Sequence, residues 1–171
     1  AGGYKYAQAG EGACFMSIPA DCALRPAYTG WFSDFARLSG AQGDAVGYGE
    51  AAMRFWGSTF DASGLYRFNA VQRWLAALGS DVAMIHDHVA TIQEALLDRL
   101  ATRPIAGLDL GTLLPDRSAP ERGHFLTFRT PHAIAIQRRL LDHRVIVDAR
   151  GDRLRIGLGI YHDPDEVELI H

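Results

Sequence analysis

Two amphipathic helices are the clearest pattern of apolar and polar positions along the chain. The first pattern follows Asp61, a suitable N-cap, and stops at Gly79. Its apolar positions, three or four residues apart, are Leu65, Phe68, Val71, Leu75 and Leu78. The second pattern follows Ser80 or Asp81 and stops before Pro104. Its apolar positions are Ile85, Val89, Ile92, Leu96 and Leu100.

Short apolar runs predict strands on both sides of this helical pair. Residues 13–18 are apolar up to Pro19, which predicts a buried strand. Residues 123–129 alternate in side-chain character and predict a strand with two different faces. The other predicted elements are a short helix at 132–142, strands at 144–148 and 153–158 joined by a turn at 150–152, and a last short helix from Asp163 or Pro164.

Long segments without periodicity separate these elements. Residues 1–12 are rich in glycine and predict a loop, residues 19–60 predict an irregular segment with one short helix, and residues 104–122 predict another loop. The order of elements predicts an α/β or α+β fold in which helices cover a small sheet.

The composition is that of a globular domain without a polyanionic partner. The chain has 171 residues, 48% of them hydrophobic and 22% charged, with a net charge of −3. We see neither an apolar run of about 18 residues, as a membrane span requires, nor a signal peptide. Two cysteines are too few for a disulfide framework. We therefore expect a cytoplasmic protein that binds neither membranes nor nucleic acids.

One cationic residue differs from all the others. Of the 17 basic residues only Lys5 is a lysine, and it lies between Tyr4 and Tyr6 in a segment with four glycines. A lysine can form a Schiff base when its surroundings favour the neutral amine, whereas arginine stays protonated. A coding bias accounts for the arginines, and the ordinary alternative for Lys5 is a solvated lysine on a flexible segment. The single exception predicts a chemical role.

Short motifs then resemble one enzyme family in order along the chain. Gly3-Tyr4-Lys5-Tyr6, followed by Gly10-Glu11-Gly12, is similar to the cofactor-lysine segment of fold-type I pyridoxal-phosphate (PLP) enzymes in the class V aminotransferase group, most of all the kynureninases. The further matches are Arg25-Pro26, Gly30-Trp31-Phe32, Phe55 to Thr59, Glu121-Arg122-Gly123, Val145 to Arg150, Leu154 to Ile156, and Tyr161.

The resemblance implies a larger protein, because these enzymes are much longer than this chain. It implies that residues 1–60 are the end of the large PLP-binding domain and that residues 61–171 form helices and a small C-terminal α+β domain. By this resemblance the enzyme is a homodimer with shared active sites, and its cofactor is pyridoxal 5′-phosphate. The isolated 171-residue chain is expected to be inactive.

The resemblance also implies roles for five residues of the cofactor site. Lys5 would bind PLP covalently and move the Cα proton, and the Tyr4 hydroxyl would donate to the phosphate. Trp31 would reach the phosphate bound in the neighbouring subunit. Ser58 and Thr59 would offer hydroxyls that contact the phosphate or the substrate across the same dimer interface. The segment from Trp56 to Phe60 departs from the Asn and Pro-Pro of many kynureninases, so the preferred aryl ring of the substrate is not indicated.

The substrate-binding residue implied by the resemblance is Arg155, whose guanidinium fork matches an α-carboxylate in two parallel hydrogen bonds. Arg153, two residues away on the same strand face, is the competing candidate. The implied reaction is hydrolysis of the Cβ–Cγ bond of L-kynurenine to anthranilate and L-alanine. Transamination, desulfuration or epimerisation on the same scaffold, and a non-catalytic dimerisation module, remain alternatives. The histidines lack the spacing of metal ligands, and no metal site is expected.

Overall fold

A computed structural model describes residues 1–41, 43–119 and 122–170. They divide into unit 1, Ala1–Gly79, and unit 2, Ser80–His171. The sequence analysis instead places a domain boundary after residue 60, between the large and small domains of a longer enzyme. That boundary stays a prediction. Glu121, part of one motif quoted above, lies outside the described residues.

Unit 1 is largely irregular, and its described part contains helices but no sheet. The helices are two short 3₁₀ helices, Trp31–Arg37 and Ala51–Phe55, and one α-helix, α1, Ser63–Ala77. The buried strand predicted at 13–18 is wrong, because Cys14 alone forms an isolated antiparallel bridge there, with Gly2. Phe15 and Met16 are exposed. An apolar run becomes a buried strand only beside a sheet, and unit 1 offers none within its described residues.

Helix α1 confirms the first amphipathic pattern, although its apolar stripe is only partly covered. The Asp61 carboxylate accepts the N–H of the first helical residue at 2.9 Å, and Gly79 follows the helix with a φ of 71°. The buried residues of α1 are Gly64 and Leu75, whereas Leu65 is exposed. The middle of the predicted apolar stripe is therefore covered, and its two ends are exposed.

Unit 2 combines two α-helices with a four-stranded antiparallel sheet. The helices are α2, Val82–Thr102, and α3, Ala133–Asp142. The strands are β1, Leu113–Leu114, β2, Phe125–Arg129, β3, Asp148–Arg150, and β4, Arg153–Gly157, in the spatial order β1-β2-β4-β3. Short 3₁₀ helices lie at Leu110–Thr112 and Pro164–Leu169. The prediction of an α+β fold with a short sheet and helices is confirmed.

The core of unit 2 joins α2 and α3 to one face of the sheet. Leu126 and Phe128 of β2 point to that face opposite the buried apolar residues of β4, and both are fully buried. Leu96 of α2 and Leu140 of α3 belong to the same cluster. Burial of each such side chain contributes roughly 1.5–3 kcal/mol, so this cluster holds the sheet to both helices.

The chain after α3 departs from the predicted strand at 144–148. The N–H of Val145 donates to the carbonyl of Leu140 at 2.9 Å and closes the turn that ends α3, so it is not available to a strand ladder. The strand begins only at Asp148, and the predicted turn at 150–152 then leads into β4. The loop predicted at 104–122 contains the short strand β1. No helix among the described residues is both long and apolar enough to cross a membrane.

Candidate functional site

Lys5 lies at the turn of a closed loop formed by residues 1–15, here called the lysine loop. Gly2 and Cys14 form an antiparallel bridge across its base. The N–H of Gly3 donates to the carbonyl of Ala13 at 2.7 Å, just inside that bridge. The two arms of the loop are therefore joined, and Lys5 is presented between them.

The Lys5 side chain is exposed on this loop and lies beside one of its two tyrosines. Its Nζ is 5.3 Å from the centroid of the Tyr4 ring, within the range of a cation–π contact. Tyr4 and Tyr6 are 48% and 59% exposed. The aromatic surroundings expected from the sequence are present on one side, with both rings open to solvent.

Helix α1 holds the lysine loop through backbone carbonyls. Arg67 donates from Nε to the carbonyl of Ala9 at 2.6 Å and from Nη2 to the carbonyl of Glu11. Gln72 donates from Nε2 to the carbonyl of Ala7 at 3.0 Å. Hydrogen bonds from a charged donor stabilise more than neutral ones. The conformation of the loop around Lys5 therefore depends on α1, a dependence that the sequence analysis missed.

A close approach of two backbones completes this contact. Gly64, in the first turn of α1, faces Gly12 of the lysine loop, and a Cβ atom at Gly64 would lie 2.4 Å from the Gly12 carbonyl oxygen. No side chain fits in that space. The absence of a side chain at residue 64 therefore sets how near α1 comes to the loop.

The predicted residues Trp31, Ser58 and Thr59 belong to a second group in unit 1, the aromatic cluster. Its rings lie in sequence-distant segments and are those of Trp31, Phe32, Phe35, Trp56 and Phe60. The Trp56 indole N–H donates to the carbonyl of Ser58 at 2.9 Å, and the Phe32 and Trp56 rings are 5.4 Å apart. The fold thus brings the segment of Trp31 next to the segment of Ser58 and Thr59.

The two groups of predicted cofactor residues are separate within one chain. No hydrogen bond or ring contact in the described part of unit 1 joins Lys5 or Tyr4 to Trp31, Ser58 or Thr59. Trp31 is 52% exposed, and Ser58 and Thr59 are exposed. Both groups therefore present exposed side chains.

Arg155, in unit 2, forms a fork with a carboxylate across the sheet. It stands directly opposite Asp148 in the β3–β4 register and donates from both Nε and Nη2 to one oxygen of that residue, with the Nε bond at 3.0 Å. The hydrogen bond from Arg155 is the main reason that the pKa of Asp148 lies below its ordinary value. Asp148 occupies one edge of the guanidinium, which leaves the Nη1 end for another acceptor.

The competing candidate, Arg153, has a weaker environment. Its Nε lies 3.8 Å from the carboxylate of Asp152, and its side chain is 49% exposed. Arg155 is 37% exposed and also lies over the Phe125 ring, 5.5 Å from its centroid. Of the two arginines, Arg155 is therefore the better oriented by its neighbours.

Two histidine pairs in unit 2 were not expected from the sequence. The rings of His86 and His124 stack with their centroids 5.9 Å apart, and burial, followed by the nearby His86, lowers the pKa of His124. His88 bonds through Nε2 to the carbonyl of His162 at 2.9 Å. No three metal-ligating side chains come together within residues 1–41, 43–119 and 122–170.

Comparison with known proteins assigns no family to the chain. No protein-family model matches it, and no curated protein matches it. The resemblance to class V PLP enzymes therefore rests on the short motifs of the sequence, and the function is argued from the residues themselves.

Proposed function

We propose that this chain is the C-terminal portion of a PLP-dependent, kynureninase-like enzyme of fold type I. The observation that carries the proposal is the placement of Lys5. The only lysine of the chain lies exposed at the turn of a glycine-containing loop whose backbone α1 holds in place. A lysine that forms a covalent bond to a cofactor needs both an accessible amine and a fixed backbone.

The chemistry of the exposed groups fits this cofactor. The Lys5 amine can condense with the PLP aldehyde, and the Tyr4 hydroxyl beside it can donate to a phosphate oxygen. When bound, PLP supplies an electron sink for a carbanion at the substrate Cα. In the proposed reaction the Lys5 amine would also take the proton from the substrate Cα.

The second group would act on the active site of a partner subunit. The Trp31 indole can only donate a hydrogen bond, which suits a phosphate oxygen, and Ser58 and Thr59 add exposed hydroxyls. Among the described residues, no hydrogen bond or ring contact joins them to Lys5 or Tyr4. A homodimer with shared active sites would bring them to the cofactor of the other subunit.

Arg155 would orient the substrate through its α-carboxylate. Asp148 holds one edge of the guanidinium, so the fork is fixed before a ligand arrives and loses less entropy on binding. The remaining N–H groups of Nη1 and Nη2 can then donate to the two carboxylate oxygens of a substrate as a bidentate pair. Such a contact would fix the orientation of the bonds at the substrate Cα.

The proposed reaction is L-kynurenine plus water to anthranilate plus L-alanine. The test is an anthranilate fluorescence assay of the full-length protein that contains this chain, with added PLP. We expect turnover that is lost in Lys5→Arg, because a guanidinium cannot form the Schiff base. A wild-type protein that makes no anthranilate but transaminates, desulfurates or epimerises another amino acid would favour those class V activities. Full turnover in Lys5→Arg would refute a PLP role for Lys5.

A second candidate function, a dimerisation module, is favoured by the aromatic cluster. Trp31 and Phe60 are more than half exposed, and aromatic side chains are enriched in protein interfaces. In this case the 171-residue chain would form dimers in analytical ultracentrifugation and neither bind PLP stably nor turn over. Dimers together with a full-length protein that never reacts with PLP would support the module over the enzyme.

A further inference from the structure

The guanidinium of Arg67 lies against the backbone of Gly10 in the lysine loop. A Cβ atom at Gly10 would be 3.1 Å from both Cζ and Nε of Arg67. The two carbonyls that accept its hydrogen bonds, those of Ala9 and Glu11, flank this glycine. Gly10 also has a φ of 67°, which disfavours other residues. The guanidinium of Arg67 therefore packs closely on the backbone of Gly10, where a side chain would crowd it.

The contacts of Arg67 are part of a row of contacts that α1 makes with the loop. Gly64 and Arg67 are three residues apart and are neighbours on the helix surface, and Gln72 lies about two turns beyond Gly64. They contact, in this order, the loop backbone at residue 12, at residues 9 and 11, and at residue 7. The row runs along the second arm of the loop toward the turn at Lys5. Arg67 is its charged member and makes two of its hydrogen bonds.

We infer that Arg67 is a positioning residue for Lys5, an inference that rests on the proposed function of that lysine. A loop with glycines at residues 3, 10 and 12 has many accessible backbone conformations. The fork of Arg67 bonds two carbonyls separated by one residue and selects a single conformation among them. A lysine at residue 67 could replace one of these bonds but not the planar fork.

The first experiment measures the loop in the 171-residue chain, without cofactor. Amide hydrogen exchange of Gly3 and Ala9 reports the loop, because their N–H groups donate to the carbonyls of Ala13 and Gly3. We expect exchange to become roughly tenfold to hundredfold faster in Arg67→Gln, as loss of a charged hydrogen bond implies. Arg67→Lys should fall between, and Arg73→Gln, an exposed arginine of the same helix, should leave exchange unchanged.

The second experiment measures Lys5 itself in the full-length protein. With PLP added, the Lys5 amine condenses with the aldehyde and releases water, and borohydride then reduces the C=N bond to a secondary amine. Peptide mapping by mass spectrometry gives the fraction of Lys5 modified at limiting PLP. We expect that fraction to fall several-fold in Arg67→Gln and to recover partly in Arg67→Lys. In turnover, kcat should fall more than KM rises.

The outcomes separate the inference from the proposed function. Unchanged exchange in Arg67→Gln would overturn the positioning role, whatever Lys5 does. Faster exchange together with a wild-type protein that never forms the Lys5 adduct would refute the PLP enzyme while the loop contact stands. A wild-type adduct that forms equally well in Arg67→Gln would show that the loop needs no positioning by Arg67. Tryptophan fluorescence of each variant verifies that unit 1 is folded, and Arg67→Lys serves if Arg67→Gln is not.

Discussion

Replacing Gly64 with alanine should favour the helical backbone of α1 but crowd the carbonyl oxygen of Gly12. In a free helix the change from glycine to alanine stabilises by up to about 1 kcal/mol. Here the new Cβ would lie 2.4 Å from the carbonyl oxygen of Gly12, where ordinary contacts begin at 3.4 Å. The lysine loop would have to retreat by about 1 Å, and such overpacking costs about 1–3 kcal/mol. We therefore expect Gly64→Ala to lower the stability of unit 1 by about 1 kcal/mol.

Urea unfolding followed by tryptophan fluorescence measures this effect locally, because all three tryptophans lie in residues 1–79. The control is Ala70→Gly at an exposed position of α1, which reports helix propensity alone and should cost about 1 kcal/mol. The amide of Gly3 should also exchange faster in Gly64→Ala, because the loop has moved. A Gly64→Ala protein more stable than wild type, with an unchanged loop, would refute the close approach of α1 to Gly12.

Two further predictions concern unit 2. Phe128→Ala should lower its free energy of unfolding by about 3–5 kcal/mol, measured by circular dichroism in urea, because the ring is fully buried in the cluster between the sheet and the helices. Ile146→Ala, at a position 86% exposed, should change that free energy by less than about 0.5 kcal/mol. Equal effects of the two substitutions would refute this core. Arg155 lowers the folded-state pKa of Asp148 below 3.8, so its carboxylate stabilises the fold above that pH and the contribution is lost as the pH falls through the lowered pKa. At pH 7 the free energy of unfolding of wild type should exceed that of Asp148→Asn by about 0.5–1 kcal/mol, a small value because both side chains of the ion pair are partly solvated. Thermal unfolding at a series of pH values should show this difference vanishing in acid. A difference that persists in acid would have a cause other than the ion pair.

The elements that follow a local period could be predicted, and those that depend on a distant partner could not. Helix α2 buries most of the residues that the apolar spacing predicts, because Ile92, Leu96 and Leu100 pack in one cluster with the apolar residues of the sheet. The run at residues 13–18 has the composition of a strand but no sheet beside it in the described part of unit 1. Strand β3 begins late because Val145 uses its N–H in the turn after α3.

In the candidate site too, some residues could be identified from the sequence, whereas their contacts with distant residues could not. Lys5 stands out in the sequence because it is a chemical exception. Arg67 does not, because an arginine on a helix normally indicates a solvated face, and its bond to Ala9 joins residues 58 positions apart. Arg155 could be chosen from a motif, but its pairing with Asp148 depends on the register of β3 against β4. Local patterns identify which groups carry chemistry, and tertiary structure decides what holds them.

Because Lys5 is exposed and is the only lysine in these 171 residues, cross-linking through it can measure how two copies of the chain are arranged. An amine-reactive cross-linker with two identical ends finds one lysine side chain in each copy of these 171 residues. A product that links two Lys5 peptides, identified by mass spectrometry, must therefore join two chains, and an internal link between lysines cannot form. Spacers of graded length would convert the yield of that product into the distance between the two loops, and so into a direct measurement of how two copies are arranged.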